Sequence, residues 1–274
     1  METPTMNNNP ESAGTGHWWL PRRVPSGHTL SCQLGSLTLA LHHASGEWQL
    51  SSQHIDEADA PEVPELVLRA GALEDEGLER FLYAGSSDGL RFTPLLADRS
   101  VVIRPRQLVY LPPGEETTMY LSTPVTLRIE LDDPSVTLKE LPMLRLSDTW
   151  FGPSTREGEL CYSGKTHARH ELAEVPRRVH RAITPLTIRN AAPTVLPLEK
   201  VNLPVPLLSV YGAADGSLWT QGVSLQRGSD SDMAALKIDD APPANAGEVS
   251  LLSGPRQAQS RAGLVRAFSL LFGD

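Results

Sequence analysis

The chain has 274 residues, 40% hydrophobic and 21% charged, which excludes a disordered polymer and leaves room for about two domains. Thirty-three acidic residues against 24 basic ones give a formal net charge of −9; that excludes a general nucleic-acid binder, which needs a positive field against phosphate. Two cysteines exclude a disulfide framework. The 23 prolines favour many short strands over long helices, because proline cannot donate to a central ladder and collects in turns and at edges.

Met1–Gly16 is polar and rich in Asn, Thr, Ser, Gly and Pro, the composition of a flexible tail. It has neither a basic start nor an apolar core, so it does not read as a signal peptide. No window is apolar enough for a membrane span. The expectation is a soluble protein in a reducing compartment, the cytoplasm. The preference for arginine over lysine fits a GC-rich bacterial genome.

Trp18 and Trp19 follow the tail. In an extended segment they would face opposite ways, so that one anchors the first strand; a ligand platform is the sharper alternative. Thr29–Leu34, Ser36–His42 and Glu47–Ser51 form a predicted meander: Leu37, Leu39 and Leu41 alternate with polar neighbours, and Ser45-Gly46 supplies a turn. An acidic stretch, Asp56–Arg80, separates these from Leu66–Leu68, Arg80–Tyr83 and Leu90–Phe92. Asp88-Gly89 between the last two is a hairpin signal. Val101–Ile103, Gln107–Leu111, Thr117–Leu121 and Val125–Leu131 come next, with Pro112–Glu115 as the turn between the middle pair. Turn chemistry at roughly ten-residue spacing points to a sandwich or barrel.

The second half repeats the style in Ile183–Arg189, Val195–Leu203, Leu207–Tyr211, Leu218–Leu225, Met233–Ile238 and Val249–Leu252. Asp215-Gly216 marks a second hairpin, which with the first hints at duplication. In Gly263–Phe272, residues Leu264, Val265, Phe268, Leu271 and Phe272 share a helical face, so a short helix is preferred there to a last strand.

Chemistry-bearing residues concentrate between the halves. Gly85–Gly89 matches a nucleophile elbow around Ser87, but a strand and then Pro94 follow where the elbow needs a helix. His167, His170 and His180 occupy a basic block, Lys165–Arg189. A metal would need the first two on one helix face, and Pro176 ends any helix early. Cys161 beside them suggests a thiol–imidazole pair, against which strand alternation would bury the sulfur. Arg177 and Arg178 suit a carboxylate or phosphate, with pairing to Glu157, Glu159 or the acidic stretch as the plainer role. Trp150-Phe151-Gly152-Pro153, followed by Arg156, has the aromatic and guanidinium content of a binding loop. The plainer role is a crossover whose Trp150 and Phe151 plug the core while Arg156 pairs with Glu157 or Glu159. No phosphate-cradling loop, dinucleotide fingerprint or paired zinc cysteines occur, so no cofactor and no metal are expected.

Val109-Tyr110-Leu111-Pro112-Pro113-Gly114-Glu115, Ser122-Thr123-Pro124 and Trp150-Phe151-Gly152-Pro153 resemble the prokaryotic domain of unknown function 432 family, or a bacterial relative of it. The resemblance runs from about Leu37 to Leu225, leaving out the tail before His17 and the end after Arg227. It implies an all-β soluble protein with no agreed activity and carries over no catalytic residue.

The sequence therefore predicts an all-β protein of two sandwich-like halves, 17–147 and 148–274, with a short C-terminal helix. It is expected to bind a protein partner or a second copy through Trp150, Phe151, Arg156, Arg177 and Arg178, as an accessory to a membrane assembly. The alternative is an enzyme or sensor taking an anionic small molecule at the Arg/His-rich loop. No catalytic residue and no nucleic-acid partner are expected.

Overall fold

The computed structural model describes residues 11–12, 17–73, 77–85, 87–132, 135–154, 156–229, 231–258 and 262–268. Most of the predicted tail, Ser86, Thr155, the side chains of Lys165 and His167, and the chain after Phe268 lie outside the described residues. The fold is all-β: the only helical elements among these residues are single 3₁₀ turns.

The chain condenses into two compact units, residues 1–93 with 128–140, and residues 94–127 with 141–274. The junction expected between residues 147 and 148 lies inside the second. The first unit is built on a six-stranded antiparallel sheet in the order Glu11–Ser12, Glu65–Ala70, His28–Leu34, Leu37–Ala44, Glu47–His54, Glu79–Leu82. The alternation seen in the sequence does what period 2 dictates: Leu37, Leu39, Leu41, Trp48 and Leu50 are all buried. At roughly 1.5–3 kcal/mol for each fully buried large side chain, this one meander supplies much of the unit's stability. Gly46 takes the left-handed φ of 77° that the Ser45-Gly46 turn requires.

Trp18 and Trp19 sit in a turn, not a strand. Their rings therefore meet edge to face at 5.6 Å and both are buried, so no platform is exposed. The Asp88-Gly89 hairpin does not form. Glu79–Leu82 pairs with Glu47–Leu50, while the strand Gly89–Leu96 pairs with Arg22–Arg23. Gly89 does not adopt a positive φ. The Tyr83 N–H donates to the Gly46 carbonyl, and the Val24 N–H to the Asp88 carbonyl; long-range ladders outweigh the local turn preference. Ser87 leads into a strand, as expected, and its Oγ accepts from the Gly89 N–H. The hint of duplication loses its first hairpin.

The second unit centres on the strand Arg181–Asn190. It pairs antiparallel with Glu116–Pro124 and parallel with Leu218–Trp219 and Val223–Arg227. Val223–Arg227 pairs with Met233–Ile238, which pairs with Ala262–Arg266. The short helix expected over Gly263–Phe272 is thus a strand where it is described. Met233–Ile238 offers an open edge, and its backbone hydrogen bonds outweigh an amphipathic pattern too short to make a stable helix alone. The Asp215-Gly216 hairpin forms between Val210–Ala213 and Leu218–Trp219, with Gly216 at φ 82°. A separate four-stranded sheet runs Ser147–Phe151, Glu159–Ala168, Val101–Pro105, Val201–Leu203.

Candidate functional site

Trp150, Phe151 and Arg156 belong to one β-hairpin within the second unit. Ser147–Phe151 and Glu159–Ala168 pair antiparallel, with Trp150 opposite Leu160 and Phe151 opposite Glu159. The segment is a hairpin and not a crossover between halves. Alternation divides its aromatics. Phe151 turns inward onto Val102 and Cys161, while Trp150 turns outward and keeps 47% of its surface exposed, beside Leu160 at 45%. Only Phe151 plugs the core.

The loop between the strands is shaped by its glycines and Ser154. The Trp150 indole N–H donates to the Ser154 carbonyl at 2.7 Å, and Ser154 Oγ accepts from the backbone N–H groups of Arg156 and Glu157. A Cβ on Gly158 would lie 2.6 Å from the Phe151 carbonyl oxygen and 2.7 Å from the Trp150 indole nitrogen, so the indole rests on a backbone that only glycine leaves clear. Arg156 is exposed at the loop tip.

Arg177 and Arg178 are elsewhere, in the segment after the 3₁₀ turn Leu172–Glu174. Arg177 pairs with Asp215 at the tip of the second Asp-Gly hairpin, not with Glu157, Glu159 or the acidic stretch; spatial adjacency of two loops chose a partner that sequence distance hid. Arg178 is half-buried. Of the histidines, His170 is exposed and His180 is buried. Among the described residues no group of three or more His, Cys, Asp or Glu side chains is placed to hold a metal ion.

Cys161 is fully buried. Burial, with the charge of Glu159 adding to it, pushes its thiol up to about 12, far from the thiolate a nucleophile needs. Its Sγ donates to the Asn202 side-chain oxygen at 3.6 Å. Cys32 is likewise buried and pushed up, by burial first.

Behind the hairpin lies a groove of about 560 Å³, reached by Gly158, Glu159 and Leu160 and walled by Pro204, Pro206 and Leu207. Its polar lining includes Glu159, which is exposed, paired with Asn202. Asn202 is buried; its amide N–H groups donate to the Glu159 carboxylate and to the Arg266 carbonyl at 3.2 Å. Burial raises the Glu159 carboxyl above its usual range, with the Asn202 bond and Arg266 pulling the other way. At the rim, Arg99 pairs with Asp148 at 3.1 Å and lies over the Tyr162 ring, whose hydroxyl donates to Asp98 at 3.0 Å.

None of the five expected binding residues lines this groove, although the Trp150–Lys165 segment forms one bank of it. Asn202 carried a faint signal, as the one polar residue between Val201 and the apolar run Leu203–Leu208. Asp98, Arg99, Gln257 and Arg266 carried none, because nothing local links them.

The fold and this site define an all-β protein with a groove flanked by a hairpin. The chain belongs to the DUF432 family, described as a protein of unknown function, which matches residues 18–272. That is wider at both ends than the Leu37–Leu225 core of the resemblance. Comparison with curated proteins and with solved structures gives no match.

Proposed function

We propose that this protein is a non-catalytic, cytoplasmic β-sandwich that docks a partner protein through the hairpin Ser147–Ala168, as an accessory to a membrane assembly. No helix among the described residues is long and apolar enough to cross a membrane, so on this proposal contact with such an assembly is through protein. The observation that carries the proposal is the outward-facing pair Trp150 and Leu160, directly opposite each other on adjacent strands and both left exposed. A large aromatic on a rigid sheet, ringed by polar groups, is the usual anchor of an interface. The buried thiol of Cys161 weighs against a nucleophilic enzyme. Arg177, already matched by Asp215, weighs against an anion pocket at the Arg/His-rich loop.

The test is capture of partners by the intact protein beside its Trp150→Ala and Arg156→Ala variants. Loss of a specific partner with Trp150→Ala, at unchanged melting temperature, is the expected result; equal recovery from all three proteins rejects the proposal. Labelling with a thiol reagent separates off the enzyme alternative. Cys161 should react only as the protein unfolds, and rapid reaction in the native state would reinstate it as a nucleophile.

A further inference from the structure

The groove beside the hairpin has a definite electrostatic character. Its two guanidinium groups are each matched by a carboxylate that does not line it: Arg99 by Asp148, and Arg266 by Asp232. Of its own two carboxylates, Asp98 accepts from the Tyr162 hydroxyl, and Glu159 accepts from the Asn202 amide and shares the charge of Arg266 with Asp232. Counting Asp148 and Asp232, four carboxylates surround two guanidinium groups, so the groove faces solvent with negative charge left over.

The walls say what should carry that cation. Leu264, Val265 and Arg266 all line the groove. Successive side chains of a strand point to opposite faces, so three consecutive residues can line one groove only where the strand presents its edge. Among the described residues, Ala262–Arg266 forms a ladder on one side only, with Met233–Ile238; on the other side the Arg266 carbonyl is taken by the Asn202 amide, and the edge before it is open. The opposite bank offers Pro204, Pro206 and Leu207, and Leu160 and Leu264 stand exposed along the rim. An edge left open over Ala262–Val265, an apolar bank and an excess of carboxylates together match an extended chain that adds to the sheet and brings one basic side chain to Glu159.

Resting on the docking proposal above, we infer that this groove takes an extended segment of the partner protein by strand addition to Ala262–Val265, with a lysine or arginine side chain paired to Glu159.

The probes are three: the acetylated, amidated pentapeptide Val-Thr-Arg-Thr-Val, the same peptide with glutamate in place of arginine, and n-butylguanidinium. Each is titrated into the full-length protein and followed by amide NMR. The arginine peptide should shift the backbone amides of Gly263–Arg266 and the side-chain amide of Asn202, and should bind about 10-fold or more tightly than the other two, the scale of one charged hydrogen bond. Glu159→Gln, which keeps an acceptor for Asn202, should weaken it by about 10-fold. Leu264→Lys, at a side chain too exposed to perturb folding, should weaken it as well.

No shift at millimolar peptide, equal binding of the glutamate peptide, or undiminished binding by either variant overturns the inference. Equal binding of n-butylguanidinium also overturns it, by making the site one for a free cation. These outcomes are separable from failure of the docking proposal, because Trp150 lies outside the groove lining. Partner capture that depends on Trp150 while the peptide fails to bind removes the groove inference alone. Peptide binding at the groove with capture indifferent to Trp150 removes the hairpin face alone.

Discussion

Gly158 shows how much a single residue decides in this protein. The Trp150 indole and the Phe151 carbonyl both approach the space a side chain would occupy there. Gly158→Ala should therefore destabilise the second unit by about 1–3 kcal/mol, the cost of overpacking a fitted contact. It should also red-shift Trp150 emission as the indole is lifted from the loop; thermal unfolding and fluorescence read the two effects. Glu47 makes the opposite kind of case. The Arg80 guanidinium bonds to both of its carboxylate oxygens at 2.9–3.2 Å and, with Gln49 adding to it, holds the carboxyl below the usual carboxylate range. A folded-state value below the unfolded one stabilises at pH above the unfolded value, and that stabilisation is lost as pH falls through the folded one. Glu47→Gln should accordingly be less stable than the wild type at pH 7, and the gap in urea midpoint should close on acidification. A gap that persists unchanged at pH 2–3 would show that Glu47 contributes by packing and not by charge.

At the scale of elements, the strand Arg181–Asn190 is the hinge of the second unit's order, bonded on both sides and almost wholly buried. Leu186, at its middle, has no exposed surface; Leu186→Ala should cost about 2–5 kcal/mol in chemical denaturation. Amides of this strand should be the slowest in the unit to exchange with solvent, and faster exchange there than in Val249–Ser253 would contradict its central place. Strands of this kind were legible because alternation is local: Leu37–Leu41 announces both period and burial. Their partners were not. Asp88-Gly89 and Asp215-Gly216 are the same dipeptide, yet only the second closes a hairpin: Val210–Ala213 and Leu218–Trp219 pair with each other as well as with distant strands, whereas Glu79–Leu82 and Gly89–Leu96 pair elsewhere. Leu264, Val265 and Phe268 looked helical for the same reason: a five-residue apolar pattern fits either period, and an available edge settles it.

For the molecule as a whole, the two units are discontinuous in sequence. The first needs Arg128–Glu140 as well as the residues up to Thr93. Arg128 and Glu140 are themselves an ion pair at 2.7 Å, and Lys139 pairs with Glu79. A fragment ending at Thr93 lacks the strand Ser135–Pro142 and the end of Glu116–Asp132. It should give a poorly dispersed NMR spectrum and no cooperative melt; a dispersed, cooperatively folding fragment would show the returning strands to be dispensable.

By itself the sequence determined the fold class, the position of most strands outside residues 135–168 and the last one, the inward fate of Cys161 and the membership of a family. These follow from alternation, turn residues and motif likeness, which a chain carries along its own length. The pairing of strands, the outward turn of Trp150, the match of Arg177 to Asp215 and the groove itself were decided only by tertiary structure. The outward turn of Trp150 depends on its pairing with Leu160; the others join residues far apart, Glu159 with Asn202 and Arg266 above all, and no local spacing records which distant backbone wins the competition for a hydrogen bond or a charge.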